Sequence, residues 1–467
     1  MRNINVESLV AEILEQSSFS ESFLSNSNNH ENYASFDDVE SAISAAKTAY
    51  ENFNQRPLAC RKKAIENMKT DLSDYINKMA EDAHIETGMG NVADKIKKNK
   101  AALFNTPGVE DLETRAITGD GGITLFEYSA YGVIGSITPS TNPTETIINN
   151  TISMIAAGNT ICYSPHPGAA KISIWLIEEI ERIIFEAIGI HNIVVCVKTP
   201  TFDSTKKMMN NPDIALLAVT GGPAIVKMAM QTGKKVIGAG AGNPPAIVDD
   251  TADILKAAED IIAGASLDYN LPCIAEKAVV VVDSVADQLF DAFQKSGATW
   301  INDAVEISKL KHAVINDKGD VNKALIGKSP KEILNVAKIN VVGEPKLIVL
   351  QVTSDDPLMM LEQLMPVLPV ARVKDFDAAL KTAINVEGGC FHTAVMHSKN
   401  VSNLNVAAKA MRTSIFVKNA PSFAGIGVGS DGFTTFTIAT PTGEGTTSAR
   451  SFARLRRCVL NEAFNIR

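Results

Sequence analysis

Gly132-Val-Ile-Gly-Ser-Ile-Thr-Pro-Ser-Thr-Asn-Pro143 runs from an apolar strand into a polar turn. Residues 144–157 then read as a helix stopped at Gly158, and 160–163 as the next strand. The alternation continues with a helix over 171–187, strands over 193–197 and 214–219, and a helix over 223–231 opened by Gly221 and Gly222. Strands that alternate with helices of this length predict a parallel sheet covered on both faces. A second α/β pattern starts near Pro245 and extends to about Asn419, with strands at 278–282, 347–350 and 393–396. Upstream, 36–105 has helical periodicity, with long amphipathic stretches at 41–53 and 60–87. Gly119-Asp-Gly-Gly122 predicts the turn of a β-hairpin. The tail reads as β over 433–439, then as a basic helical stretch carrying Arg450, Arg454, Arg456 and Arg457.

The chain has 467 residues, too many for one compact core, so two or three domains are expected. A net charge of −9 argues against general nucleic-acid binding, which needs a basic footprint. It leaves room for an anionic cofactor, which local amides and cations can hold. The six cysteines are scattered, with no C-x-x-C, which favours a reduced cytosolic chain over a disulfide framework. No metal-binding motif and no apolar run of membrane-spanning length occurs, so neither a metal site nor a membrane span is expected.

The N-terminus is distinctive. Val6, Leu9, Val10, Ile13 and Leu14 make one apolar helical stripe without the basic start or continuous apolar core of a secretory signal. The stretch after it, to residue 35, is rich in Ser and Asn and reads as a tether. A helix this short needs a surface to pack on: a partner's, or its own globular body's.

The chemistry centres on Asp268-Tyr-Asn-Leu-Pro-Cys273-Ile-Ala-Glu-Lys277, which runs into the valine-rich strand. Cys273 sits where a loop meets a strand, a junction that can hold a thiol rigidly and face it to a cleft. The opposing reading is a buried structural cysteine. Glu276, three residues on, has no geometric reason to be a base. Gly238-Ala-Gly-Ala-Gly242 lacks the G-x-G-x-x-G spacing and is followed by Asn-Pro-Pro rather than a helix, so the usual dinucleotide fingerprint fails. No P-loop is present.

Taken in order, 132–143, Ala157-Gly-Asn-Thr160, Ser164-Pro-His-Pro167, Thr220-Gly-Gly222, 238–248, Cys273 and Glu362-Gln-Leu-Met-Pro366 resemble the aldehyde dehydrogenase superfamily over nearly the whole chain. Pro139-Ser-Thr-Asn-Pro-Thr-Glu-Thr146, Ser164-Pro-His-Pro167 and Asn270-Leu-Pro-Cys-Ile-Ala-Glu-Lys277 are similar to the CoA-acylating branch, and within it to the propionaldehyde and acetaldehyde dehydrogenases of bacterial microcompartments. The resemblance implies an α/β aldehyde dehydrogenase fold, with a Rossmann-like dinucleotide-binding domain, a catalytic domain and a β-arm for oligomerisation. It implies NAD and coenzyme A as cofactors, Cys273 as nucleophile, and an acyl-enzyme thioester passed to CoA. Hydrolytic members carry a glutamate in the segment matching Gly238–Gly242, where this chain has only Gly and Ala. They also tend to carry a lysine at Ser164, and its absence leaves NAD against NADP open.

The oxyanion donors implied are the Cys273 N–H and a side chain from Thr141 or Asn142. Asn142 is preferred because an amide donates better, although it also shapes the turn before Pro143. Glu362 matches the family's ribose-binding glutamate, or is a solvated helix carboxylate. Thr138, Pro139, Ser164, His166, Pro167, Thr220, Gly221, Gly222 and Gly240 fall on the loops expected around the cofactor. For His166 a solvated loop position, and for the two glycines ordinary helix punctuation, are the alternatives. His392 either lines the acyl or CoA site or is a structural histidine.

The expected layout is a targeting helix over 1–18, a linker over 19–35, a cofactor domain over 36–240 with 116–130 in the arm, a catalytic domain over 241–419, and a return to the cofactor domain and arm over 420–467. The hairpin near Gly121 and the strand near Phe433 are the arm candidates. The partners implied are a small aldehyde, a microcompartment shell protein met by the N-terminal helix, and further copies of the chain as a dimer or dimer of dimers, in the lumen of a compartment of the bacterial cytoplasm. Two other readings stay open: hydrolytic oxidation to the acid, and a non-catalytic scaffold.

Overall fold

The computed structural model describes residues 33–462. The N-terminal stripe Val6–Leu14 and most of the tether lie outside them. Strand β1 (Ser35–Phe36) precedes helices α1 (Val39–Phe53), α2 (Leu58–Asp71), α3 (Ile76–Thr87) and α4 (Val92–Phe104). A hairpin follows, β2 (Arg115–Gly119) and β3 (Gly122–Ala130), with Gly119 paired to Gly122. Then come β4 (Val133–Thr138), α5 (Pro143–Ala156), β5 (Thr160–Pro165), α6 (Ala170–Ile188), β6 (Val194–Val197), α7 (Phe202–Asn210), β7 (Ile214–Thr220), α8 (Pro223–Met230) and β8 (Lys235–Ala239). These strands form one parallel sheet in the order β1-β6-β5-β4-β7-β8. The chain leaves β4 first toward β5 and later returns to its other side as β7. The crevice beyond the carboxyl end of β4 is therefore the topological switch point, where open α/β sheets bind ligands.

The second half repeats the logic with β9 (Pro245–Val248), α9 (Ile254–Ser266), β10 (Ala278–Val282), α10 (Asp283–Lys295), β11 (Ala298–Ile301), α11 (Ala304–Val314), α12 (Pro330–Val336), β12 (Leu347–Val352), β13 (Val367–Val373), α13 (Phe376–Glu387), β14 (Thr393–His397), α14 (Val401–Met411) and β15 (Ile415–Lys418). Its strands are parallel in the order β11-β12-β13-β10-β9-β14-β15. Central β10 is wholly buried, which is why its sequence is a continuous apolar run rather than an alternation.

Helix α5 is buried at every position, Glu145, Asn149 and Asn150 included. Its two asparagines have internal partners, as buried amides require. Asn149 Nδ2 donates to Thr106 Oγ1 (2.9 Å) and the Thr434 carbonyl (3.1 Å), and its Oδ1 accepts from the Phe436 N–H at 3.0 Å. Thr437 Oγ1 donates to Asn150 Oδ1 at 3.0 Å.

Two tail expectations are corrected. The basic stretch is a strand: β16 (Ile438–Ala439) and β17 (Gly445–Thr446) pair with each other, and β18 (Ala453–Asn461) pairs with β3 along all nine residues. The helical reading fails because the exposed edge of β3 offers a full ladder of hydrogen bonds, and tertiary pairing overrides weak local preference. The arginines also have places there, Arg454 over the Tyr131 ring and Arg457 over the Phe126 ring. The hairpin expected in the arm thus lies in a three-stranded sheet, β18-β3-β2. Phe433 belongs to no strand. Its segment is tied to Asn149 and Asn150 and lies over the crevice instead of joining the arm.

Candidate active site

A cavity of about 400 Å³ opens at the switch point. Its walls contain Thr138, Pro139, Thr141 and Asn142 from the end of β4, and Ser164, His166 and Pro167 from the end of β5. Thr220, Gly221 and Gly222 come from the end of β7, Gly240 from beyond β8, and Cys273 and Glu362 from the second half of the chain. The sequence-predicted residues are brought together, with one exception. His392 is buried, but behind the wall. Its ring lies against Gly242, where an added Cβ would stand 2.7 Å from His392 Cγ and 3.0 Å from the Cys273 carbonyl oxygen. Its Nδ1 pairs with Thr393 Oγ1 at 2.9 Å, and burial pushes its pKa down to about 4, so the ring is neutral at pH 7. It packs behind Gly242 and is not among the residues lining the cavity.

The loop carrying Cys273 is held in an unusual conformation. Asp268, Tyr269 and Asn270 have φ of 47°, 53° and 68°, three successive non-glycine residues in the left-handed region. Each costs roughly 1–2 kcal/mol, so surrounding contacts must over-determine the shape. Asp268 ion-pairs with Lys95 (3.0 Å) and Lys98 (2.6 Å), accepts from the Asn91 N–H (2.7 Å) and donates its own N–H to Asp94 (2.9 Å). Asn270 Nδ2 donates to the carbonyls of Ala265 (2.7 Å) and Glu276 (3.0 Å). Lys277 Nζ donates to the Asn270 carbonyl (2.7 Å), Asn270 Oδ1 (2.6 Å) and the Pro272 carbonyl (3.1 Å), which uses all three ammonium protons. Glu276 accepts from the N–H (2.9 Å) and hydroxyl (2.7 Å) of Ser422. It is a strut of the loop, not a base. Gly90 and Gly264 make room: a Cβ there would fall 2.0 Å from Asp268 Oδ1 and 2.1 Å from Glu276 Oε2.

Cys273 thus stands on a fixed loop and faces the cavity. Burial, then the Glu362 charge, push its thiol up to about 12, against the opposing pull of Lys277 and the N–H groups of Cys273 and Ile274. The thiol is neutral at pH 7, and its reactivity depends on what enters beside it. Burial lowers Lys277 to about 8, so it remains mostly an ammonium. Glu362 is the one carboxylate in the cavity wall among the described residues, and its Oε1 accepts from the Gly242 N–H at 3.3 Å. No acidic side chain occurs over Gly238–Gly242.

The wall built from the ends of β4, β5 and β7 has little charge. Ser164 Oγ is 2.7 Å from Thr205 Oγ1, which in turn donates to the Thr201 carbonyl at 2.8 Å, so the serine proton is directed inward. His166 Nδ1 accepts from the Gly168 N–H at 3.0 Å, which leaves Nε2–H as its donor. Burial lowers its pKa and keeps the ring neutral. The Thr138 hydroxyl is buried at the wall without a protein partner. Gly222 caps α8, with Pro223 in its first turn, so free N–H groups point at the cavity mouth. Asn142 Oδ1 accepts from Lys98 Nζ at 2.6 Å, and its Nδ2 lies 3.4 Å from Thr141 Oγ1.

Sequence reasoning missed the roles of Asp268, Lys277 and Lys98, and the lining by Thr435, Phe436 and Ile438. The first two lie inside the cysteine stretch itself. Lys98 sits in Lys95-Ile-Lys-Lys-Asn-Lys100, which looks like a solvated basic run, and nothing local marks it as buried.

An aldehyde dehydrogenase family model matches residues 28–432, and the chain belongs to that family. It is 60% identical over 433 residues to propanal dehydrogenase (CoA-propanoylating) of Salmonella typhimurium, covering 92% of this chain and 93% of that one. The crystal structure of Rhodopseudomonas palustris propionaldehyde dehydrogenase with bound CoA and an acylated cysteine matches with TM-score 0.91 and 46% identity, over 93% of this chain and 99% of that one. A propionaldehyde dehydrogenase from the Clostridium phytofermentans fucose utilisation bacterial microcompartment matches equally, with TM-score 0.91 and 46% identity, over 93% of this chain and all of that one (100%).

Proposed function

We propose that this chain oxidises a short aldehyde, propanal first and acetaldehyde next, and delivers the acyl group to coenzyme A. The observation that carries this is the cavity wall around Cys273. Its single carboxylate, Glu362, is bonded to a backbone N–H, and 238–242 supplies none. A thioester formed there meets no general base placed to activate water, so a thiol nucleophile has the advantage.

In this reading the Cys273 Sγ adds to the aldehyde carbon as the thiol proton passes to solvent, the one proton that the net oxidation releases. The oxyanion is met by the Cys273 N–H and by Asn142 Nδ2, preorganised donors of the kind that stabilise tetrahedral intermediates. When bound, NAD supplies the hydride acceptor and CoA the acceptor thiol. Thr138, His166, the α8 N-terminus at Gly221 and Gly222, and Glu362 are the groups suited to hold the nucleotide. Thr138 is the clearest fit, because its buried hydroxyl lacks a protein partner. Cys273 then leaves as thiolate when the acyl group passes to the entering thiol, and thiol-for-thiol exchange conserves the thioester.

The arm supports assembly as a dimer or dimer of dimers, since Ile117, Leu455, Val459 and Leu460 are exposed on its strands. The N-terminal stripe Val6–Leu14 is proposed to dock on a microcompartment shell protein. Among the described residues no helix is long and apolar enough to cross a membrane, and no cluster of His, Cys, Asp or Glu could hold a metal ion. The test is NADH formation from propanal with and without CoA, with the product identified by mass. CoA-dependent propionyl-CoA is expected; a CoA-independent rate giving propionate overturns the reading.

A further inference from the structure

We propose that Lys98 is a positioning residue for the reaction: its ammonium fixes which face of the Asn142 amide points at Cys273, and ties that donor to the nucleophile loop. The inference rests on the reading of Asn142 as an oxyanion donor.

Lys98 lies on α4, outside both sheets, and is buried. Its Nζ hydrogen-bonds Asn142 Oδ1 at 2.6 Å and ion-pairs with Asp268 at 2.6 Å and Glu145 at 3.0 Å. An ammonium has three donors and no acceptor. Asn142 can therefore present only its oxygen to Lys98, because the flipped amide would set N–H against N–H. The amide nitrogen is left on the side of Thr141 and the cavity, where the two residues line one wall with Cys273. The same charge grips Asp268, the first of the three left-handed residues that lead to Cys273. One ammonium thus gauges the separation of the oxyanion donor from the nucleophile loop, and such donors lose their effect when misplaced by about 0.5 Å. Burial opposes the charge, but Asp268 and Glu145 outweigh it and raise the Lys98 pKa to about 12, so the orientation holds at every working pH. With Lys95 on the other side of Asp268, the cluster has two cations and two carboxylates.

The test uses full-length enzyme with propanal, NAD and CoA. Lys98→Met is made together with Glu145→Gln, which leaves Lys95 and Asp268 paired and the cluster neutral, and is compared with Glu145→Gln alone. Asn142→Ala is added to each background. In the Glu145→Gln background, Asn142→Ala is expected to lower kcat about 10²–10³-fold. Lys98→Met is expected to lower it at least about tenfold with the KM for NAD within about twofold, as loss of a contact made only in the transition state does. Adding Lys98→Met to Asn142→Ala is expected to cost little more than Asn142→Ala alone, since residues acting as one unit are not additive. Unchanged kcat on loss of Lys98, or losses that multiply, overturns the inference while leaving Asn142 in its role. Unchanged kcat in Asn142→Ala overturns the oxyanion reading and the inference with it. If the methionine variant does not fold, by near-ultraviolet circular dichroism, Lys98→Gln replaces it. A glutamine amide can accept as well as donate and no longer enforces the orientation, so the same loss and the same non-additivity are expected, and their absence overturns the inference.

Discussion

The two walls of the cavity are built on opposite principles. One wall, from the ends of β4, β5 and β7, is mostly small residues, prolines and hydroxyls, and burial lowers the pKa of its imidazole. The other, 268–277, contains three left-handed residues and is pinned by Lys95, Lys98 and Lys277, all buried. In the proposed function the first wall admits a large ligand and releases it. The second holds one sulfur atom in one place. Loose binding tolerates edits, whereas a fixed strained loop fails when one strut is removed, because buried charge without its partner is costly.

That contrast orders the consequences of mutation. Cys273→Ala should lower aldehyde-dependent NADH formation by at least about 10³-fold, as loss of a nucleophile does, while near-ultraviolet circular dichroism stays unchanged. Residual turnover near wild type would remove the thiol from the mechanism. Lys277→Met leaves the Asn270 carbonyl and Oδ1 without a donor, at about 1–3 kcal/mol each, while the Pro272 carbonyl keeps the Ala275 N–H. A stability loss of about 2 kcal/mol or more is expected from the urea midpoint at constant m-value. Gly264→Ala drives a methyl into Glu276, and an overpacking loss of about 1–3 kcal/mol should follow. Ser164→Ala, on the other wall, should change the KM for NAD less than about threefold and stability by about 1 kcal/mol at most, because that hydroxyl is spent on Thr205. A large effect of Ser164→Ala beside a small one of Lys277→Met would invert the comparison.

Much of this was legible in the sequence. The strand–helix alternation from Gly132 onward located β4 to β7 within a residue or two, because wholly buried parallel strands leave continuous apolar runs bounded by turn residues, while β8 was not foreseen. The loops that reach the cavity were legible from ordered motifs, not from composition. What was lost depended on partners distant in sequence. The arginine-rich tail reads as helix until β3 is present to pair with it. Lys98 reads as solvated until Asp268, 170 positions away, folds against it. His392 could be placed near the site but not behind Gly242, since the space a glycine leaves is invisible without its neighbours.

The central claim is that the acyl group on Cys273 is protected from water and open to a thiol. It is tested most directly by intact-protein mass after enzyme is mixed with propanal and NAD in the absence of CoA. One propionyl group on Cys273 is expected, persisting over many turnover times and lost at once when CoA is added, with propionyl-CoA as product. An adduct that decays to propionate as fast without CoA as with it would contradict the account, and would mean that another group in the cavity activates water.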